Sequence, residues 1–263
     1  MSRYALVLEY DGSYFCGWQK QLGVATIQSS LEKALANFAS HEINTITAGR
    51  TDTGVHALNQ VVHFDSSANR QLAGWIYAVN AKLPAAVRVK KALVVEDDFD
   101  ARYSAVSRTY QYYLYISPQN SAHLHSQIGW YYKELDLVKM QLAAALLVGQ
   151  HDFSSFRAAG CQANSAIRTI LQSVVEQRGN MIRFTFQANA FLYHMIRNIV
   201  GALVYVGNGR ISVDDFANIF AAGDRKLAPP TFMPNGLYLA SVDYPCEICQ
   251  FDQDLWLYSL YRK

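Results

Sequence analysis

TIQSSLEKALANFASHEINTITAGRTDTGVHALNQVVHF, Thr26 to Phe64, carries a helix, a strand, a turn and a second strand in one run. Ile27, Leu31, Ala34, Leu35 and Phe38 recur at helical spacing, so Thr26–Phe38 is expected to form an amphipathic helix packed on a sheet. Ile43–Ala48 reads as a strand leading into the decapeptide AGRTDTGVHA, Ala48 to Ala57. Gly49 and Gly54 allow tight or left-handed backbone there, which presents Arg50 and Asp52, two positions apart, at a surface. The valine-bearing LNQVVHF, Leu58 to Phe64, is a strand that braces the turn, as a site on a rigid scaffold requires.

Working outward, residues 3–10 alternate as a strand, a second helix fits Leu72–Ala81 and ends before Pro84, and Val87–Val94 returns as a strand. This β-α-β-β-α-β order is that of the ferredoxin-like split unit. The second half repeats the theme with larger insertions. Thr109–Ile116 is aromatic and β-forming, and Asp136 caps a helix through Leu147 that Gly149 stops. Ala166–Gln177 and Met181–Ala188 pair around Arg178-Gly179-Asn180, and Phe191–Val206 forms a long apolar helix. Ser212 with Asp215 opens a short helix terminated by Gly223, and Leu237–Tyr244 and Asp254–Tyr261 are the last strands. The expected fold class is α+β: two ferredoxin-like halves, 1–104 and 105–263, with fused antiparallel sheets and a central cleft that holds the site.

With 263 residues, 51% of them hydrophobic, the chain can bury a large core. Cys16, Cys161, Cys246 and Cys249 form no disulfide framework in a chain of this length, which favours a reducing compartment. Cys246 and Cys249 make a C-x-x-C with no second pair nearby, too few ligands for a zinc site. The opening MSRYALVLEY alternates as a strand and not as a signal peptide, and no apolar run is long enough to span a bilayer. The net charge is only +2, but residues 102–210 hold ten Lys or Arg against four Asp or Glu. A local face including Arg102, Arg108, Arg157, Arg168 and Arg197 would therefore suffice for phosphate contacts. Seventeen tyrosines supply stacking groups, although most aromatics must belong to the core.

AGRTDTGVHA resembles the catalytic loop of the TruA family of tRNA pseudouridine synthases. Resemblance to that family recurs in order along the chain: LEYDGSYFCGWQKQ (Leu8–Gln21) with TIQSSLEKAL (Thr26–Leu35), FDARYSAVSRTYQYY (Phe99–Tyr113), GQHDFSSFR (Gly149–Arg157), NAFLYHMIRNIVGAL (Asn189–Leu203) and GLYLASVDYP (Gly236–Pro245). It implies an isomerase that turns uridine into pseudouridine in the anticodon stem-loop of tRNA, at positions 38, 39 and 40. It further implies a cytoplasmic homodimer that needs no cofactor and no metal.

Within that resemblance Asp52 is the catalytic carboxylate, able to act as nucleophile or as base toward the sugar. A buried aspartate needs a charge partner to stay ionised, and both Arg50 and Arg197 are candidates. The resemblance also has Arg50 brace the gap left by a flipped base. It makes Tyr110 the ring that stacks on uracil, although alternation alone places Tyr110 and Tyr112 on one face and cannot choose between them. Leu237 lines the pocket, and Phe99, Arg102, Arg108 and Arg168 stand on the RNA side. His56 and His194 lie near the matched segments without an assigned chemistry. Thr53, the stretch CQANSAIR (Cys161–Arg168) and the segment APPTFMPNGLYL depart from the family pattern, which puts tRNA contacts from the second of these in doubt. Two other readings stay open: an RNA-binding protein without catalysis, and an aspartate-dependent N-glycosidase that releases free uracil.

Overall fold

The first compact unit comprises Met1–Arg108 with the described residues from Tyr238 on, and the second comprises Thr109–Leu237. The computed structural model describes residues 1–245 and Ile248. Cys246, Cys249 and the strand expected at Asp254–Tyr261 lie outside the described residues.

In the first unit the chain runs β1 (Ser2–Tyr10), α1 (Ile27–Ala39), β2 (Ile46–Thr47), β3 (His56–Ser66), α2 (Leu72–Asn80) and β4 (Val87–Val95). β1 lies between β3 and β4 and is antiparallel to both. β2 pairs antiparallel with the far edge of β3 at Ile46↔His63 and Thr47↔Val62. The order 4-1-3-2 is that of the expected ferredoxin-like unit, but β2 is much shorter than the sequence suggests. The reason lies at Thr45. Its N–H and hydroxyl donate to the buried Glu32 carboxylate of α1 (3.0 and 3.1 Å), and its carbonyl accepts from Gln28 (3.3 Å), so these groups are unavailable to a ladder. The free stretch of β3's edge is taken by β10 (Leu237–Asp243), parallel, at Tyr238↔His56 and Leu239↔Ala57.

α1 opens on Thr26, whose hydroxyl accepts from the Ser29 N–H while the Ser29 hydroxyl accepts from the Thr26 N–H, a reciprocal cap. One side of the sheet is sealed by Trp75 of α2, fully buried, with its ring 4.9 Å from Phe38 and 5.1 Å from Phe64.

The second unit contains most of β5 (Ser107–Ile116), then β6 (Gly129–Tyr131), α3 (Leu137–Ala145), β7 (Gly149–Asp152), β8 (Ile167–Arg178), β9 (Met181–Ala188), α4 (Met195–Gly207) and α5 (Val213–Ala222). Its sheet order is β5-β9-β8-β7, with β6 parallel on β5. Phe153, Phe156 and Phe216 are fully buried where the segment after β7 meets α5. β6 and β7 are too short to show a period in the sequence and are not expected from it. The apolar helix begins at Met195 instead of Phe191, because His194 takes left-handed backbone (φ 57°) and the Tyr193 carbonyl accepts from Ala158 N–H (3.2 Å). α3 ends at Ala145, short of Gly149, which instead starts β7 at φ 111°. No helix among the described residues is long and apolar enough to cross a membrane.

Candidate active site

The loop Ala48–Val55 is held by strands at both ends and by glycines on its flank. Gly54 takes φ 78°, and Val55 N–H closes the turn onto the Asp52 carbonyl at 3.1 Å. The Asp11–Trp18 segment packs against the loop. A Cβ on Gly12 would stand 2.0 Å from the Val55 oxygen, and one on Gly17 would stand 2.9 Å from the Thr51 oxygen. Both positions therefore need glycine for close approach of two backbones, and Trp18 N–H then reaches the Thr51 carbonyl at 3.0 Å.

Along the loop, Arg50 is exposed, Thr51 buried and Asp52 half-buried. The inward-facing Thr51 shares a hydrogen bond with the Tyr10 hydroxyl (2.8 Å), which accepts from Gln60 (3.2 Å), and Gln60 also donates to the Gly49 carbonyl (2.7 Å). Burial pushes the Tyr10 phenol well up, so it remains a neutral hydroxyl. Arg108 is nine-tenths buried. Its guanidinium donates to the Ala48 carbonyl at 3.1 Å, and also to the carbonyls of Arg102 and Ala105. His56, next to the loop, lies flat on Tyr238 with ring centroids 4.6 Å apart, and its Nδ1 stands 3.1 Å from the Gly12 nitrogen and 3.1 Å from the Asp11 carboxylate. Burial pushes the neighbouring Asp11 carboxyl up, but bonds from His56 and Ser13 overcome this and hold it below the ordinary carboxylate range.

In the second unit Tyr110 is buried in β5 except for 8% of its surface, its ring edge-on to Phe191 at 5.1 Å. Tyr112 is fully buried. Its hydroxyl donates to the Met233 carbonyl (3.0 Å), and a Cβ on Gly129 or Gly236 would strike its ring. The two tyrosines that alternation could not separate thus sit in different surroundings. Arg197, half-buried in the first turn of α4, donates through Nε to the Phe232 carbonyl (2.9 Å), while Phe232 N–H returns to the Arg197 carbonyl (3.1 Å). Phe232 in turn meets the Tyr112 ring at 5.8 Å, and Leu237, 5% exposed, follows shortly after in the chain at the head of β10.

The arginines of the basic stretch differ. Arg102 is exposed and lies over the Tyr103 ring at 5.2 Å. Arg157 ties the Cys161 and Ala163 carbonyls (2.8 and 2.7 Å), and Arg168 donates to the carbonyls of Ser165 and Ile167. Phe99 packs on Tyr244 at 5.1 Å and on His63. Gly12, Gly17, Tyr10 and Gln60 do not stand out in the sequence; the only trace of them there is that the matched segments contain the glycines and Tyr10.

An Arg-x-Asp turn braced on a ferredoxin-like antiparallel sheet, followed in the chain by a second α+β unit, is the architecture of a pseudouridine synthase. The chain belongs to the tRNA pseudouridine synthase family, whose model matches residues 6–104 and 143–245. It is 54% identical over 244 residues to tRNA pseudouridine synthase A of Neisseria gonorrhoeae (strain ATCC 700825 / FA 1090), covering 92% of each chain. It is 50% identical over 245 residues to tRNA pseudouridine synthase A of Paraburkholderia xenovorans (strain LB400), covering 93% of this chain and 91% of that one. Membership makes it an isomerase.

Proposed function

We propose that the protein isomerises uridine to pseudouridine in the anticodon stem-loop of tRNA, at positions 38, 39 and 40, with Asp52 as the catalytic carboxylate. The observation that carries this is the loop itself: Arg50 and Asp52 flank a buried, hydrogen-bonded Thr51, so two charged groups project from an anchored backbone. In the reaction the N1–C1′ bond of the uridine breaks, the uracil turns, a C5–C1′ bond forms, the C5 hydrogen leaves as a proton and N1 takes one up. Asp52 acts on the sugar, as nucleophile or as base.

Tyr110 stacks on the uracil, and the burial of Tyr112 with its hydroxyl on the Met233 carbonyl supports choosing Tyr110 of the two. Arg197 and Arg50 divide the charge-partner and base-flipping roles, and Leu237 lines the pocket. Residues 1–104 carry the loop, and residues 105–263 complete the binding face. Arg102, exposed beside Tyr103, is the phosphate contact best supported by its surroundings, with Arg168 and Phe99 shaping the RNA side. Arg108, with its guanidinium on three carbonyls, serves the RNA side by holding the loop. The enzyme acts as a cytoplasmic homodimer without a cofactor. The test is tritium release from tRNA labelled at uridine C5. Wild type should release the label, and a folded Asp52→Asn that still binds tRNA should not. Release of free uracil would instead establish a glycosidase.

A further inference from the structure

We propose that Gln60 is a positioning residue, whose side-chain amide fixes the backbone on which Arg50 and Asp52 are carried. This rests on the reading of Asp52 as the catalytic carboxylate. Gln60 stands on β3 with no exposed surface. Its nitrogen donates twice, to the Gly49 carbonyl (2.7 Å) and to the Tyr10 hydroxyl (3.2 Å). Because that hydroxyl accepts a hydrogen bond from Gln60, its own hydrogen is free to point to the Thr51 oxygen 2.8 Å away. One amide thereby grips the residue before Arg50 directly and the residue between Arg50 and Asp52 through a single relay.

The orientation of the amide follows from its partners, since an oxygen turned toward Gly49 would face another oxygen. The consequence is that Gln60 Oε1 is buried with no hydrogen-bond partner among the described residues. Leaving a buried acceptor unmade is unfavourable, and a leucine or methionine would avoid it. The residue is therefore better explained by its two donors than by packing. The demand for such a grip is clear. Arg50 is exposed, the turn is glycine-bracketed, and a displacement of about 1 Å of a reacting group is enough to cost ~100-fold in rate.

The experiment uses the full-length protein with C5-tritiated tRNA. It measures the single-turnover rate at saturating enzyme, the tRNA dissociation constant and the thermal midpoint for wild type, Gln60→Leu, Gln60→Glu, Tyr10→Phe and Asp52→Asn. Gln60→Leu should slow bound tRNA by ~10- to 100-fold while its dissociation constant stays within about twofold. Gln60→Glu adds a signature that loss of stability would not produce. A protonated carboxyl can donate to the Gly49 oxygen and a carboxylate cannot, so its rate relative to wild type should rise as the pH is lowered from about 8 to about 6. Among the described residues, the titratable group hydrogen-bonded to this side chain is Tyr10, which burial keeps neutral. A folded Gln60→Leu that turns over within about twofold of wild type, or whose whole defect is in tRNA affinity, overturns the proposal. Should Gln60→Leu not fold, Tyr10→Phe decides by the same criteria with about a tenfold slowing expected. Full activity of Asp52→Asn removes the carboxylate reading and this proposal with it, whereas a dead Asp52→Asn beside a fast Gln60→Leu removes only the role of Gln60.

Discussion

His63 is a buried imidazole that ties two segments together, its Nδ1 accepting the Ala101 N–H at 3.0 Å while Phe99 meets its ring edge-on. Burial holds its pKa below the ordinary histidine value, against the opposing pull of Asp100. A histidine that is neutral when folded and protonates more readily when unfolded contributes stability above pH ~6.5 and loses it as the pH falls through the folded value. The thermal midpoint should therefore drop between about pH 7 and 5. His63→Asn, whose side-chain oxygen replaces Nδ1 as acceptor, should flatten that slope in calorimetry. Gly17 tests the loop in another way. At φ 81° an alanine costs about 1–2 kcal/mol, and its Cβ would press on the Thr51 carbonyl. Gly17→Ala should lower both the thermal midpoint and the turnover of bound tRNA. At this scale the charged pair on the loop was legible because glycines flank it, whereas Gln60 looked like any polar residue of a strand. What it touches depends on the Gly49 carbonyl and on Tyr10, 50 positions away.

α4 is anchored by a polar hub in an apolar setting. Asn198, fully buried, donates to the Phe156 carbonyl (2.8 Å) and accepts from Thr231 (2.6 Å) and Arg225 (3.2 Å), so one side chain joins the helix to two segments distant in sequence. Asn198→Leu removes the hub, strands the Phe156 carbonyl and takes one of its acceptors from the Arg225 guanidinium, which keeps Ala228 and Thr231. Denaturant unfolding should show a loss of about 2–4 kcal/mol, larger than the ~1 kcal/mol expected when Thr26→Ala removes the cap of α1. The helical period of Ile27 to Phe38 made α1 readable, and Thr26 marked its start. The residues after Phe191 are as apolar as the helix that follows, so composition could not show that His194 breaks the run with a left-handed turn. β2 was overestimated for a related reason: Thr45 is a good strand former, but its hydrogen bonds go to Glu32 and Gln28 of α1.

Across the whole chain, a net charge of +2 leaves affinity for nucleic acid to local arginines, and their surroundings sort them. Arg102→Ala should leave the thermal midpoint unchanged and reduce the slope of log affinity against log salt by ~0.7–0.9, the mark of one phosphate contact. Arg108→Met, which orphans carbonyls of the loop and its approach, should cost about 2–4 kcal/mol in unfolding experiments. The order of elements could be read along the chain, but periodicity says nothing about which edge a strand joins, and the return of β10 to β3 is invisible without the fold. That return has a consequence for the making of the protein. His56 and Ala57, where the Arg50–Asp52 loop ends, pair on one edge with Tyr238 and Leu239, and Asn59 is bonded to Ala240, 181 positions later. At ~5–20 residues per second a ribosome needs on the order of ten seconds or more to supply that strand. During this interval the nascent loop lacks one of its walls, so the enzyme cannot begin to modify tRNA, the adaptor of its own translation, until its synthesis is nearly finished.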